Sequence, residues 1–132
     1  MRLLSWNEFD SCVRTITKAC AKKEFSGVYG FPRGGLCLAV AISHSLKLPL
    51  LKKPEPGSLV VDDVYETGLT LDKVRGITNV TAFVWLSKME VEWLNAVEIC
   101  DVNEWLVFPW ENLDFAEQER KNYHVKRRKT LD

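Results

Sequence analysis

The stretch that decides the fold of this chain is LVVDDVYETGLTL, residues 59–71. Its apolar opening is typical of a buried strand, which we predict over residues 58–62. Asp62 and Asp63 stand where that strand should end, and a turn with glycine and hydroxyl groups then leads into a short helix within residues 67–75. Parallel sheets bind ligands outside the carboxyl ends of their strands, and such a turn offers free N–H groups to a phosphate. The stretch therefore predicts a holder for a phosphorylated sugar.

A second turn of the same kind comes earlier in the chain. Residues 27–31 predict a central strand, residues 32–35 (Pro-Arg-Gly-Gly) a turn, and residues 36–48 a helix that is apolar on most sides. Both turns follow a strand and precede a helix, so we expect them at one edge of the sheet. Arg33 can hold phosphate oxygens through two parallel N–H bonds. Taken alone, the Arg-Gly-Gly triplet fits a plain turn equally well.

The rest of the chain continues the alternation of helices and strands. Ser5–Glu8 matches a capping box at the start of an amphipathic helix whose apolar positions reach Cys20. Residues 79–86 predict a third strand, and two more lie within residues 99–108, where Pro109 limits the last to a sheet edge. We therefore predict a single α/β domain with a parallel central sheet flanked by helices.

Composition narrows the class of protein. A chain of 132 residues suits one domain, and its 18 basic and 18 acidic residues give a formal net charge of +0. That balance gives no argument for a nucleic-acid partner or a membrane surface. No apolar run reaches the roughly 18 residues that span a bilayer. The four cysteines form no C-x-x-C pair and no secretory leader is recognisable, which together predict a cytoplasmic protein with reduced thiols.

The two turn segments described above resemble parts of a known family. Residues 60–70 resemble the phosphoribosyl-pyrophosphate (PRPP) signature of type I phosphoribosyltransferases, and residues 31–35 resemble their pyrophosphate loop. The resemblance runs from about Ser5 to Asn112 and is nearest to bacterial xanthine-guanine phosphoribosyltransferases. It implies an Mg²⁺-dependent enzyme of purine salvage that transfers the ribose 5-phosphate of PRPP to a 6-oxopurine (guanine, xanthine or hypoxanthine) and releases pyrophosphate. It also implies a homo-oligomer, either a dimer or a tetramer.

The resemblance implies a role for each residue that would hold PRPP. Arg33, Gly34 and Gly35 would bind its pyrophosphate. Asp62 and Asp63 would take the ribose hydroxyls, place Mg²⁺ and act in catalysis. The 5′-phosphate would be wrapped by a loop of five residues, which are Glu66, Thr67, Gly68, Leu69 and Thr70.

Further roles concern the base. Lys88 would hydrogen-bond the 6-oxo group, Trp105 would stack on the purine, and the backbone of Leu106 would read its 2-position. Glu66 stands where purine-specific relatives usually have an aspartate, which is the candidate proton handler near purine N7. From the residues alone, Lys88 equally fits a surface lysine, and Trp105 equally fits a core or edge-strand aromatic.

The chain departs from the family pattern at three places. Leu69 replaces a glycine common in the phosphate loop, and Glu66 is one methylene longer than the usual aspartate. Type I enzymes also carry a long loop before the PRPP strand, which closes over the site and excludes water. Here only residues 52–57 occupy that gap. The alternative function is therefore a lidless, non-catalytic module that binds PRPP or a nucleotide and regulates a partner.

The last part of the chain is basic. We predict a phosphoribosyltransferase-like domain over residues 1–112 and a C-terminal tail over residues 113–132, which contains the run HVKRRK at residues 124–129. A solvated, frayed end is one interpretation of this run. A contact with RNA or with a neighbouring subunit is the other.

Overall fold

Helices and strands alternate from residue 6 to residue 87, as predicted, and two further strands then follow without a helix between them. The computed structural model describes the backbone of residues 1–131 and the side chains of residues 1–123. Within this range the elements follow one another as β1 (Arg2–Leu3), α1 (Trp6–Cys20), β2 (Val28–Gly30), α2 (Gly34–Leu46), β3 (Leu59–Tyr65), a 3-10 helix (Leu71–Val74), β4 (Thr81–Ser87), β5 (Leu94–Ile99), β6 (Leu106–Val107) and α3 (Leu113–Leu131).

The chain forms two compact units, and the larger one, residues 10–102, contains the main sheet. Its four strands are parallel and lie in the order β2-β3-β4-β5. Leu59, Val60 and Val61 at the start of β3 are fully buried, and each pairs with a strand on both sides. Helix α2 packs on β2 and β3 through Leu38, Ala39 and Ile42, which are completely buried. The predicted parallel α/β sheet with flanking helices is confirmed.

Strand β3 is longer than predicted. It does not end at Asp62 but continues to Tyr65, and its last residues pair with β4 as Val64 with Leu86 and Tyr65 with Ser87. The prediction ended the strand at the first charged residue, whereas the β-prone residues beyond the acids extend the ladder with β4. The two carboxylates therefore project from the strand itself and not from the turn after it.

The segment after the turn at residues 66–70 is a four-residue 3-10 helix. Leu71 and Val74 hold it against the sheet, since both are almost completely buried in a cluster with Val60 and Val84. Burying each such side chain stabilises the fold by about 1.5–3 kcal/mol. The turn at residues 66–70 is thus fixed at both ends, by β3 before it and by the 3-10 helix after it.

The segment that leads from Leu51 into β3 is short. Residues 52–57 form a turn in which the Gly57 amide donates to Thr78 O at 3.1 Å and Gly57 O accepts from the Ser26 amide at 3.0 Å. Leu50 makes an isolated parallel bridge to Val28. A six-residue turn therefore stands where the family resemblance implies a long loop.

The smaller unit comprises residues 1–9 and the residues from 103 onward. Its strands β1 and β6 pair in parallel as a separate two-stranded sheet. Ser5 and Glu8 form the predicted capping box: the Glu8 amide donates to Ser5 Oγ at 3.1 Å, and the Ser5 amide donates to Glu8 Oε2 at 3.2 Å. The Phe9 and Trp110 rings pack edge to face, with centroids 5.9 Å apart.

Helix α3 covers the segment that we predicted as a basic tail. Its backbone is helical through Leu131, but the side chains of residues 124–131 lie outside the described residues. The tail boundary at residue 113 and the contact of the basic run with RNA or a subunit therefore stay predictions. Among the described residues, no helix combines the length and the apolar character that crossing a membrane requires.

Candidate functional site

The two predicted turns meet at the glycine pair of the first and the acidic pair of the second. A Cβ atom on Gly34 would collide with the carboxylate of Asp63. A Cβ atom on Gly35 would lie 2.9 Å from Val61 O and 3.2 Å from Asp62 Cα. Only glycine allows the backbone to approach this closely. The prediction that both turns lie at one edge of the sheet is confirmed.

The first turn brings a helix N-terminus to the acidic pair. Helix α2 begins at Gly34, and the preceding residue, Arg33, is exposed. The Gly35 amide donates to Phe31 O at 2.8 Å, while the Phe31 amide donates to Val61 O at 3.2 Å and so ties the turn to β3. The Pro32–Arg33 peptide bond is cis. The turn therefore presents an arginine and the positive end of a 13-residue helix beside two carboxylates.

The two carboxylates are unequally buried and share hydrogen bonds. The side chain of Asp62 is nearly inaccessible, since the residue is only 8% exposed, whereas Asp63 is partly exposed. Asp62 Oδ1 accepts from the Asp63 amide at 2.8 Å, and Asp63 Oδ1 accepts from the Val64 amide at 2.8 Å. These bonds hold both side chains beside the backbone of β3.

Burial makes ionisation of this pair costly. Burial and then the neighbouring charge of Asp63 raise the pKa of Asp62 to about 8. Burial also raises the pKa of Asp63, against hydrogen bonds from Asp62 and the Val64 amide that lower it. The repulsion between two such carboxylates falls when one of them binds a proton or when a cation lies nearby.

This donor set fits Mg²⁺. The ion commonly binds through one or two carboxylates together with substrate phosphates and water. Asp62 and Asp63 supply such a pair, and residues 1–123 contain no cluster of three or more acidic, histidine or cysteine side chains that could hold a metal by themselves. Asp62 and Asp63 are therefore the residues that would hold Mg²⁺ together with a phosphorylated ligand.

The second turn encloses a hollow of about 130 Å³. Gly68 has a φ of +81°, and the Leu69 amide donates to Thr67 Oγ1 at 3.4 Å. The lining residues are Asp62, Val64, Tyr65, Glu66, Thr67, Gly68, Thr70 and Leu71. This volume is below the roughly 300 Å³ at which drug-sized pockets begin, so the hollow suits a small group such as a phosphate.

The leucine that replaces a glycine does not fill this hollow. Leu69 is 75% exposed and is not among the residues that line the cavity. Its side chain points to solvent, and the conformation with positive φ falls on Gly68 instead. The departure from the family pattern at Leu69 therefore leaves the phosphate-sized space open.

Lys88 and Glu66 come together across the ends of β3 and β4. The Lys88 side chain is only 5% exposed, and its Nζ lies 3.8 Å from Glu66 Oε1, whereas the Glu66 side chain is 59% exposed. The Lys88 amide donates to Tyr65 O at 2.9 Å, which anchors the lysine beside the second turn. The surface-lysine interpretation of Lys88 is wrong, because the strand ends bury its stem. The site therefore includes a buried ammonium group paired with an exposed carboxylate.

The two other predicted base-binding residues lie in the smaller unit. Leu106 belongs to β6, where it pairs with Arg2. The half-buried Trp105 ring packs on Tyr123, with centroids 5.5 Å apart, and Trp105 Nε1 is buried without an acceptor among the described residues. Their contact with a base stays a prediction.

The structure adds two residues that sequence reasoning missed. Tyr65 Oη donates to Asp72 Oδ1 at 3.3 Å, across the base of the second turn. Tyr65 was hidden because we ended the strand before it, and Asp72 because it lies in the predicted helix. Their spacing of seven residues carries no motif. Only the folding back of the turn brings them together.

Comparison with known proteins supports the fold. No protein-family model and no curated protein sequence matches the chain. The solved purine phosphoribosyltransferase from Pyrococcus horikoshii matches at 24% identity with a TM-score of 0.70, covering 84% of this chain and 94% of that one. The xanthine-guanine-hypoxanthine phosphoribosyltransferase of Helicobacter pylori matches at 18% identity with a TM-score of 0.58, covering 87% and 92%. A hypothetical protein from Neisseria gonorrhoeae with bound ppGpp matches at 16% identity with a TM-score of 0.58, covering 86% and 88%.

These similarities show that the chain has the fold of type I phosphoribosyltransferases. Identities of 24% or less establish the fold and not the reaction. The predicted closeness to xanthine-guanine enzymes stays a prediction, since the Helicobacter structure is less similar than the Pyrococcus one in both identity and TM-score.

Proposed function

We propose that this protein is a phosphoribosyltransferase that moves the ribose 5-phosphate of PRPP to a 6-oxopurine and releases pyrophosphate. One observation carries the proposal: the Gly34–Gly35 turn packs directly against the adjacent acids Asp62 and Asp63, beside a phosphate-sized hollow. PRPP joins a 5′-phosphate, two ribose hydroxyls and a pyrophosphate in one molecule. The hollow, the acids and the arginine-bearing helix end offer partners for each of these groups in turn.

In this proposal the chain binds PRPP along one edge of the sheet. The hydroxyls of Thr67 and Thr70 and the amides around Gly68 hold the 5′-phosphate, since backbone N–H groups in such a turn attract anions. Asp62 and Asp63 accept hydrogen bonds from the ribose hydroxyls and hold Mg²⁺. A magnesium ion held there would supply positive charge that favours departure of pyrophosphate.

In this proposal pyrophosphate, the leaving group, binds at the first turn, residues 32–35. Arg33 and the amides at the start of α2 stabilise the negative charge that grows on pyrophosphate while the sugar becomes oxocarbenium-like. One well-placed donor of this kind lowers a barrier by roughly 3–4 kcal/mol. Gly34 and Gly35 keep this space free of side-chain atoms.

The base lies beyond Glu66 and Lys88 in this proposal. The buried ammonium of Lys88 donates a hydrogen bond to the purine 6-oxo group, and Glu66 handles the proton near N7. Trp105 stacks on the base, with an energy of about 1–3 kcal/mol by analogy with nucleic-acid bases, and the Leu106 backbone reads the 2-position. In support, the Pyrococcus and Helicobacter structures are named for transfer to purines. The resemblance also supports a cytoplasmic homo-oligomer acting in purine salvage.

Nucleotide formation tests this proposal. The protein is incubated with PRPP, Mg²⁺ and guanine, xanthine or hypoxanthine in turn, and nucleotide and pyrophosphate are measured. We expect a nucleoside monophosphate from at least one base, and we expect it to disappear in Asp62→Asn/Asp63→Asn with the fold retained by circular dichroism. Absence of product with every base, pyrimidines included, contradicts the proposal.

The short turn at residues 52–57 favours a second candidate. Without the family's long loop, the site can serve as a module that binds PRPP or a nucleotide without turnover. The similar Neisseria protein was crystallised with bound ppGpp. Calorimetry with PRPP, guanosine monophosphate and ppGpp, combined with the transfer assay, separates the two functions. Binding without product supports the module, and transfer refutes it.

A further inference from the structure

We propose that Tyr65 and Asp72 are positioning residues, whose hydrogen bond holds the turn at residues 66–70 in the shape that binds the 5′-phosphate. This inference rests on the proposed function. Tyr65 ends β3 and Asp72 lies in the 3-10 helix, so their 3.3 Å bond joins the two ends of the turn at residues 66–70. Neither residue lies among the positions that the family resemblance assigned to ligand binding.

The bond supports the turn at its most constrained residue. A Cβ atom on Gly68 would collide with Tyr65 Oη and would lie 3.0 Å from Asp72 Oδ2. The Asp72 amide also donates to Gly68 O at 2.8 Å. The tyrosine hydroxyl and the aspartate therefore touch the glycine that carries the positive φ, and the three residues form one unit beneath the turn.

The surroundings fix the tyrosine more firmly than the aspartate. Tyr65 is 7% exposed, and its ring packs edge to face on Trp93 with centroids 6.3 Å apart. The guanidinium of Arg75 lies 5.2 Å from the centre of the same Trp93 ring. Asp72, by contrast, is exposed and sits on a helix of only four residues. Tyr65 is thus the fixed point, and its hydroxyl holds Asp72 and the end of the turn.

A bond of this kind is needed because the following helix is short. In a long α-helix, successive backbone hydrogen bonds would hold the first turn in place. Here the 3-10 helix ends after one turn, and only Leu71 and Val74 bury side chains in the core. The Tyr65–Asp72 bond supplies the missing restraint on the exposed side, so the amides around Gly68 keep the arrangement that receives a phosphate.

Three variants separate positioning from general stability. Tyr65→Phe keeps the ring and removes the hydroxyl, and Asp72→Ala removes the acceptor. The matched control, Asp72→Asn, keeps an acceptor oxygen and removes the charge. We expect hydrogen exchange of peptides covering residues 66–72 to accelerate about tenfold in the first two variants and to stay unchanged in the third.

The same variants are measured for PRPP. In Tyr65→Phe and Asp72→Ala we expect the KM for PRPP to rise about tenfold, with kcat within twofold of the wild type. Asp72→Asn should show a KM equal to or below the wild-type value, because it also removes a negative charge near the phosphate. A purely structural role would instead lower the melting temperature of Tyr65→Phe and Asp72→Ala and leave the KM for PRPP unchanged in both.

The outcomes distinguish this inference from the proposed function. Unchanged exchange in Tyr65→Phe overturns the inference, and so does faster exchange with unchanged PRPP affinity. If the wild type binds no PRPP while exchange accelerates in Tyr65→Phe, the proposed function fails and the positioning of the turn by Tyr65 is supported.

Discussion

At the scale of single residues, the site depends on two glycines that have no side chain and on one acidic side chain that is longer than the family's usual aspartate. Gly34 leaves room for the Asp63 carboxylate, which a Cβ atom would strike. Glu66 carries an extra methylene relative to the family's aspartate, and its carboxylate comes within 3.8 Å of the Lys88 ammonium. The substitution that first counted against a transferase thus provides a partner for a buried charge.

Gly34→Ala should lower both transfer activity and stability. We expect the rate to fall at least tenfold and the free energy of unfolding to fall by about 1–3 kcal/mol, because the added methyl group displaces Asp63 or the turn. Initial rates and urea denaturation measure the two effects. Gly76→Ala is the matched control, since a Cβ atom there meets nothing within 4 Å. Equal behaviour of the two variants would contradict the close packing at Gly34.

Asp62 should make stability depend on pH in the absence of divalent cations. Its pKa is raised from 3.8 to about 8 on folding, so its contribution to stability is complete at low pH and is lost as the pH rises through that range. Asp62→Asn cannot ionise and should gain melting temperature relative to the wild type from pH 5 to 8 in EDTA. Thermal melts at several pH values test this. A constant difference across the range would show that the carboxylate is not desolvated.

At the scale of secondary-structure elements, the position of each site residue follows from where its element starts and ends. Because β3 runs on to Tyr65, the acids lie within the strand and the turn begins three residues later than predicted. Because α2 begins at Gly34, its N-terminus faces Asp63. Because the 3-10 helix is short, the turn depends on contacts beneath it at Gly68. The geometry of the site is thus set by element boundaries, which sequence patterns locate least well.

Gly68→Ala should be more harmful than the same change at Gly57. Both glycines have positive φ, +81° and +74°, so each alanine costs about 1 kcal/mol in backbone strain. Only at Gly68 does the new methyl group also meet Tyr65 Oη, whereas at Gly57 it meets nothing within 4 Å. We expect urea denaturation to show a larger loss for Gly68→Ala, by roughly 1 kcal/mol or more. PRPP binding should weaken only in that variant, and similar losses at both positions would refute the contact.

At the scale of the whole molecule, the fold is that of type I phosphoribosyltransferases with the connection before β3 reduced to a turn. In the proposed function this leaves the reacting sugar less shielded from water than a closing loop would. In the proposed function, a sheet edge that binds PRPP is therefore combined with a shortened loop. That combination has a measurable consequence for the fate of PRPP.

Water should compete with the base for the activated sugar. We expect pyrophosphate release to exceed nucleotide formation when a base is present, and to continue at a lower rate without any base. Coupled pyrophosphate detection and chromatography of nucleotides on the same samples give the ratio. Arg33→Ala, which removes a donor to the leaving group, should lower both rates. A strict one-to-one ratio with no release in the absence of base would mean that the site is closed to water.

The alternation of helices and strands between residues 6 and 87, the parallel sheet and the placing of the two turns at one edge of that sheet were determined by the sequence alone. Local chemistry is enough for these features: apolar runs make buried strands, glycines make turns, and Ser5 and Glu8 cap a helix. Tertiary structure alone decided that Lys88 is buried beside Glu66, that Tyr65 bonds Asp72, and that β1 pairs with β6 in a sheet of its own. These facts depend on groups separated along the chain by 7 to more than 100 residues, and no local pattern records which distant partner a side chain meets when the chain folds back.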